Sequence, residues 1–558
     1  MKNNKNILKL SAAIFLTLTA ASCQKDVLDT KPYGVLAEGV SSATTVDKLV
    51  VAAYAGLGQH FFGNAEAFAG PISNWIIDVR SGDAYKGGGG IADRSDIHQL
   101  ETATFDPTNY AIKQEWRNNM FSIARTNLAI REIKNLNDMT YPKDIRIAEM
   151  RLLRGFFHFE LKREFNNIPY LEEETDPFSA SNRQYTDEEL WKKIEDDFQF
   201  AYDNLPNKQE ETGRVTKYTA ASMLAKLYME LKDYSKALPM IDFVMQGPYS
   251  LESEFEDLSK LEAENGPEAV FTIQFSTANN FANHNWGDLL NITLSPGMDA
   301  GGYANGDDFY LGSQDLVNAY RTDNNGLPLF NSYNDQDVRT GQYSGNLDPR
   351  VDFTVGRIGI PWKGTALYAE NWVRSADYYP GFSCKKHVVA PNDPNIHNSF
   401  PWAASGLNFM IVRYAEVLLW KAEALIETNQ NLDEARNLIN QVRNRAKTST
   451  YVKTLDGSMN AANYKIGLYP AEGWTQDYAR KALRFERRLE LALEGHRFFD
   501  LKRWGIAGDV INGYYQTESN KVSYLSGSQF IVGKHEYFPI PQSEIDLAPN
   551  LYSQNENY

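Results

Sequence analysis

Cysteine is almost missing from this chain: 558 residues hold two, Cys23 and Cys384. With so few thiols the fold is not stapled by a disulfide framework and relies on a large apolar core, which a chain of this length can bury. Long hydrophobic runs are also missing. The one apolar stretch, Leu10 to Ala21, is shorter than the roughly 20 residues that a spanning helix needs. Positive charge is in deficit, with 56 Lys and Arg against 72 Asp and Glu and a net charge of −16. That balance makes the chain a poor candidate for binding nucleic acid or anionic membrane surfaces. No catalytic signature occurs either. The histidines (60, 98, 158, 284, 387, 397, 496 and 535) form no HExxH pattern, and there is no CxxC, P-loop or nucleophile elbow. Gly87 to Gly90 lacks a phosphate-binding lysine and a strand–turn–helix context, so it reads as a flexible loop. The chain is not expected to be an enzyme, although 72 acids leave carboxylate pairs for glycoside cleavage open to test.

What is present begins at the N-terminus. Lys2, Lys5 and Lys9 precede the apolar run, and Ala20-Ala21-Ser22 precede Cys23, the layout of an export signal over residues 1–22. A cysteine directly after small residues is the acceptor of a bacterial lipoprotein, with Ala20 where leucine is usual. Gln24-Lys25-Asp26 reads as a surface-export tag. Each buried methylene contributes ~0.8 kcal/mol, so acyl chains on Cys23 would hold the protein on a membrane. Loss of the three leader lysines takes the net charge from −16 to −19.

The remainder divides into a helical region over 23–264, a loop-rich lobe over 265–405 and a helical C-terminal segment over 406–558. Helical periodicity runs over 110–135, 145–165 and, after Thr186-Asp187-Glu188-Glu189, over 190–205. Leu224, Ala225, Tyr228 and Ala237 fall at the spacing of a tetratricopeptide helix pair, and 413–424 with 432–446 forms a second. The expected architecture is mainly α, about four such pairs, with a lobe holding a few short strands. Trp116, Trp191, Trp420, Trp474 and Trp504 sit in helical patterns and read as core. From Ala482 to Trp504, Leu483, Leu489, Leu493 and Phe498 recur near helical spacing. Arg484, Glu486, Arg487, Arg488, Glu490, Glu494, Arg497, Asp500 and Arg503 lie between them. That reads as one helix carrying a structural ion-pair network.

This run resembles the ERR-ELA-EG-R-FDL-RW signature of the SusD/RagB family of nutrient-capturing outer-membrane lipoproteins. Other elements follow in the family's order. They are Arg151 to Pro169 (with Gly155 where alanine is common), Gly213 to Ala237, Asp348-Pro349-Arg350, Gly381 to Lys386, Arg413 to Ala446 and Phe538 to Asn550. The resemblance spans about 110 to 550. It implies a SusD-like fold, a cell-surface position at the outer membrane, and a role as the hinged lid of a SusC-like TonB-dependent transporter that imports oligosaccharide. It implies binding without hydrolysis. The rival readings are the same architecture holding peptides, and an assembly module that binds protein through its repeats.

Ligand candidates follow from sugar chemistry. A ring of C–H groups stacks on an aromatic face, while planar polar groups read paired hydroxyls. The segment Trp75, Asp78, Arg80, Asp83 and Tyr85 supplies both types and corresponds to a family region near the binding face; its alternative role is core and turn capping. The second set lies in the lobe: His284-Asn285-Trp286, Tyr303, Trp362, Tyr368, Trp372, Arg374 and Tyr378-Tyr379. The aromatic content of 13 %, with 31 Tyr and 10 Trp, exceeds ordinary packing needs and favours glycan over peptide. No cofactor or catalytic metal is expected. Asp307-Asp308 and Asp323 to Gly326 have oxygen density suited to a structural calcium, without an EF-hand pattern.

Overall fold

The computed structural model describes residues 42–58, 74–276, 308–391, 393–394 and 405–558. Its frame is a row of packed helices. α1 (Ala43–Tyr54) lies on α4 (Tyr110–Asn135), which packs on α5 (Lys143–Phe165); α2 (Asn74–Asp78) and α3 (Ser95–Glu101) fall in the connection between α1 and α4. α5 then packs on α6 (Asp187–Asn204), α6 on α7 (Lys217–Glu230), and α7 on α8 (Tyr234–Met245). The row continues across a long insertion to α11 (Tyr414–Glu427), α12 (Leu432–Thr448) and α13 (Gln476–Glu490). Local chemistry sets the starts. Thr186 caps α6 by accepting from Glu189 N, and the Glu189 carboxylate accepts from Thr186 N, a reciprocal capping box. Ala220, Ala221 and Ala225 of α7 and Ala237 of α8 are fully buried, so these two backbones approach closely.

The insertion carries little regular structure among the described residues. β1 (Ala84–Gly87) pairs antiparallel with β3 (Phe309–Gly312), β2 (Ala269–Ile273) with β6 (Phe409–Arg413), and β4 (Pro361–Trp362) with β5 (Ala366–Leu367). Two short helices, α9 (Gln314–Ala319) and α10 (Val351–Thr354), complete the lobe. The fold is mainly helical with short two-stranded sheets.

The charged run is two helices rather than the single one its periodicity suggests. α13 stops at Glu490 and α14 (Arg497–Trp504) starts afresh. Between them Leu493 has φ +60° and Gly495 φ +77°, a left-handed break that ends the helical ladder. The ion network is present and buried. Arg350 Nη1 lies 2.7 Å from Glu486 Oε1 and 2.9 Å from Glu490 Oε2. Arg413 reaches Glu490, Glu494 and Glu268, Arg443 reaches Glu486, and Arg445 reaches Glu268. Burial by itself would raise the Glu490 carboxyl, but Arg445, Arg413, Arg350 and Lys386 outweigh it and hold it well below the usual carboxylate range. Trp116 and Trp420 are buried, Trp504 nearly so, while Trp191 and Trp474 pack at the core's edge.

Candidate functional site

The segment 75–85 is structural. Trp75, Asp78, Arg80, Asp83 and Tyr85 are all buried, and the last four bond partners from the lobe and from the C-terminal segment. Asp78 Oδ2 accepts from Tyr310 Oη at 2.7 Å and from Gly495 N at 3.1 Å, so it fastens the break between α13 and α14. Asp83 accepts from Arg488 Nε at 2.8 Å. The Arg80 guanidinium lies 3.9 Å from the centre of the Phe498 ring and 4.0 Å from that of Phe538, and it donates to His535 O. Tyr85 donates to Glu518, which lies in α15 (Ala507–Glu518), and accepts from Gln314 N. The ligand role expected for these five residues is therefore corrected to one of clamping the ion-paired core. A polar group already bonded in a dry interior is not available to a hydroxyl outside it.

Trp362 and Trp372 are corrected in the same way. With Tyr368 and Val388 they form a small buried cluster of their own, the two indoles 6.2 Å apart and edge-on. Their loop setting signalled exposure, yet the lobe needs a core of its own and these rings supply it. Trp286 and Tyr303, with His284, Asn285 and Asp307, lie outside the described residues, as does Cys23. Asp323 is used by its own turn, its Oδ1 accepting from Asn325 N and Leu327 N. Among the described residues no group of three or more His, Cys, Asp or Glu could hold a metal ion.

One group of the expected residues does reach the surface. Beyond β1 the glycine run is a tight, fastened turn rather than a flexible loop. Gly87, Gly88 and Gly90 have φ of +79°, +72° and +101°, a region that L side chains rarely adopt. The ammonium of Lys86 bonds Gly87 O, Gly90 O and Asp93 O from beneath, at 2.7, 2.9 and 2.5 Å. Burial lowers that ammonium's pKa to about 8. Above the turn, Arg374 Nη1 lies 3.0 Å from Asp93 Oδ2, which also accepts from Gly89 N. Their side chains are 36 % and 33 % exposed. The Tyr378 ring is 46 % exposed and rests against Gly90, where a Cβ would sit 3.3 Å from its edge. Beneath it Tyr379 is buried and contacts Tyr85 and Tyr524. Arg374 N donates to Asp308 Oδ2 at 2.7 Å, which ties this loop to β3.

An exposed ring beside a planar guanidinium and carboxylate, on a turn that cannot relax, has the parts for holding a sugar: a face for C–H groups and a fork for paired hydroxyls. Arg374 and Tyr378 were legible as candidates. Asp93 was not, because nothing local marks a single acid as the partner of a residue in another loop. The glycine run carried the missing signal, since three positive-φ positions within four residues imply something packed closely on them.

The SusD family profile matches residues 267–558, and a second, described as starch-binding associating with outer membrane, matches 26–229. The chain belongs to the SusD family. SusD-like relatives include protein P2 of Formosa agariphila, 25 % identical over 98 % of both chains. Another, from Bacteroides ovatus, is 25 % identical over 72 % of this chain and 69 % of its own. Among solved structures the fold is similar to a laminarin binding SusD-like protein, with TM-score 0.68 and 20 % identity over 93 % of this chain and all of that one. It is also similar to surface glycan-binding protein A of Bacteroides thetaiotaomicron in complex with laminarihexaose, with TM-score 0.67 and 22 % identity over 93 % and 100 %. SusD-family proteins of this kind are non-catalytic and associated with the outer membrane.

Proposed function

We propose that this protein is a cell-surface lipoprotein, anchored through Cys23, that captures an oligosaccharide and acts as the lid of a SusC-like TonB-dependent transporter. The observation that carries the glycan reading is the exposed Tyr378 ring next to the Arg374–Asp93 pair, all three resting on a rigid glycine turn. Family membership supports it, and so does the laminarin-oligosaccharide ligand of a structural neighbour. A surface of this kind gives modest affinity, roughly micromolar to millimolar, which suits a protein that must release its cargo. Among the described residues no helix is long and apolar enough to cross a membrane, so the acyl anchor on Cys23 would supply attachment.

Isothermal titration against β-glucan, starch and other plant, host and microbial oligosaccharides tests this. One of them should bind, and Tyr378→Ala should weaken that binding about fivefold to tenfold, the ~1 kcal/mol scale of a ring contact, without changing the melting temperature. Binding of peptides in place of every glycan would replace this reading with the rival one. Co-purification with a TonB-dependent barrel tests the lid role.

A further inference from the structure

Lys86 is a buried lysine whose hydrogen bonds all go to backbone. An ammonium has three protons, and here they meet three carbonyl oxygens, those of Gly87, Gly90 and Asp93. A charge taken out of water and bonded to neutral oxygens is held against a desolvation cost, which is why burial lowers its pKa to about 8. Glu101, Asp93 and Asp96 favour the charge at longer range, and Arg94 opposes it. A chain that only needed to close a surface turn has cheaper means, such as Asn or Gly in the turn itself.

What stands on the turn explains the expense. Gly90 O also accepts from Asp93 N at 3.1 Å, and Gly88 N donates to Asp308 O at 2.6 Å, so the turn is tied to its own end and to β3. On its outer side the bare glycines are a floor. A Cβ on Gly89 would stand 3.1 Å from Asp93 Oδ2 and 3.2 Å from Arg374 Nη2, and one on Gly90 would meet the Tyr378 ring. Lys86 also lies under the second loop. Its ammonium is 5.8 Å from the centre of the Tyr379 ring and 5.4 Å from that of Phe309, and the Tyr379 and Tyr378 rings are 6.3 Å apart. Each exposed group therefore rests on backbone that Lys86 holds: Asp93 through its own carbonyl, Tyr378 through Gly90, and Arg374 through Gly89 between them.

We propose that Lys86 is the positioning residue of the saccharide surface: by drawing the carbonyls of Gly87, Gly90 and Asp93 to one point, it sets the spacing of Tyr378, Arg374 and Asp93 before a sugar arrives. It touches no ligand itself. Ordering a loop on binding subtracts from affinity, so a surface ordered beforehand binds more tightly with the same contacts. Without the three donors the turn carbonyls lose their common partner, and the ring and the guanidinium lose the floor that fixes their separation. This rests on the glycan reading above and deepens it, by naming the buried group on which that surface depends.

The test is a double-variant cycle in the full protein, read by isothermal titration with laminarihexaose first and then with the wider set of oligosaccharides. Lys86→Met, similar in length and without donors, should weaken binding about tenfold while the protein still melts cooperatively. Tyr378→Ala alone is expected to cost about fivefold to tenfold, and independent losses multiply to about fiftyfold to a hundredfold. A residue that acts through the ring gives less, so the double variant should fall at least about threefold short of that product. Should Lys86→Met not fold, Lys86→Gln, which keeps two donors, goes through the same cycle. Unchanged affinity in the lysine variant, with or without a lower melting temperature, overturns the proposal, because Lys86 is then structural only. A double-variant loss that reaches the product also overturns it. Binding that Tyr378→Ala weakens and the lysine variant does not removes this proposal alone. Binding of no oligosaccharide by the parent protein removes the glycan reading with it.

Discussion

Arg350 and Glu486 lie 136 positions apart in the chain, and their guanidinium and carboxylate meet at 2.7 Å with neither side chain exposed to solvent. The same arginine also bonds Glu490 and, within the lobe, Asp348, so one side chain joins the lobe to α13 through two acids. Removing one member of a buried ion pair strands the other and costs about 3–5 kcal/mol. Arg350→Met should lower the unfolding free energy by that amount, read as a lower midpoint in a urea titration. An unchanged midpoint would show that the Arg350 pairs are not needed for stability.

Asp308 gives a pH dependence of definite sign. Burial raises its carboxyl from the ordinary 3.8 to about 8, so the folded protein keeps a proton there that the unfolded chain releases near pH 4. Between those values the native state binds more protons, and stability falls as pH rises. Asp78, raised by burial to about 7, and Glu164, raised to about 8, act in the same direction. Melting temperature should therefore drop from pH 6 to pH 9, and Asp308→Asn, which still accepts from Arg374 N, should make the decline shallower. An identical slope in the variant would show that Asp308 is ionised in the fold.

Gly155 sets two effects against each other. Alanine in a helix interior gains ~1 kcal/mol over glycine. A Cβ here would stand 2.9 Å from the Phe198 ring and 3.0 Å from Asp197 Cβ, on α6, and overpacking costs about 1–3 kcal/mol. Gly155→Ala should destabilise on balance, read as a lower melting temperature. A higher one would mean that the Phe198 ring moves aside cheaply.

The lobe's small core is exposed to a simple test. Trp372 packs edge-on against Tyr368 and Trp362, with centroids 5.3 and 6.2 Å away. Trp372→Ala should cost about 3–5 kcal/mol and make the lobe sensitive to protease, because it opens a cavity and not because a ligand contact is lost. A variant that melts like the parent protein but fails to bind glycan would return Trp372 to the binding surface.

The helices were readable because their signals are local. Thr186 and Glu189 are three residues apart and announce the start of α6 by themselves. The density of opposed charge over 482–504 likewise announced a network. Its partners could not be read, since Arg488 answers to Asp83 from 405 positions away. The same distance explains why 75–85 looked like a ligand loop. Aromatic and planar polar residues beside glycines have one appearance whether they face a sugar or the underside of α13. The split of α13 from α14 hid for another reason: apolar periodicity passes through Leu493 undisturbed, although its backbone has turned left-handed.

The order in which the chain is made gives that buried network a further consequence. Asp83 and Glu268 emerge well before Arg488 and Arg445, which answer them across 405 and 177 positions. Until the tail is synthesised, the early acids have no cation to meet and must stay hydrated, which keeps the nascent front half from closing prematurely. Completion of the C-terminal third is then the event that dries the interior, and a chain cut short before Gln476 would be left open to proteolysis and clearance.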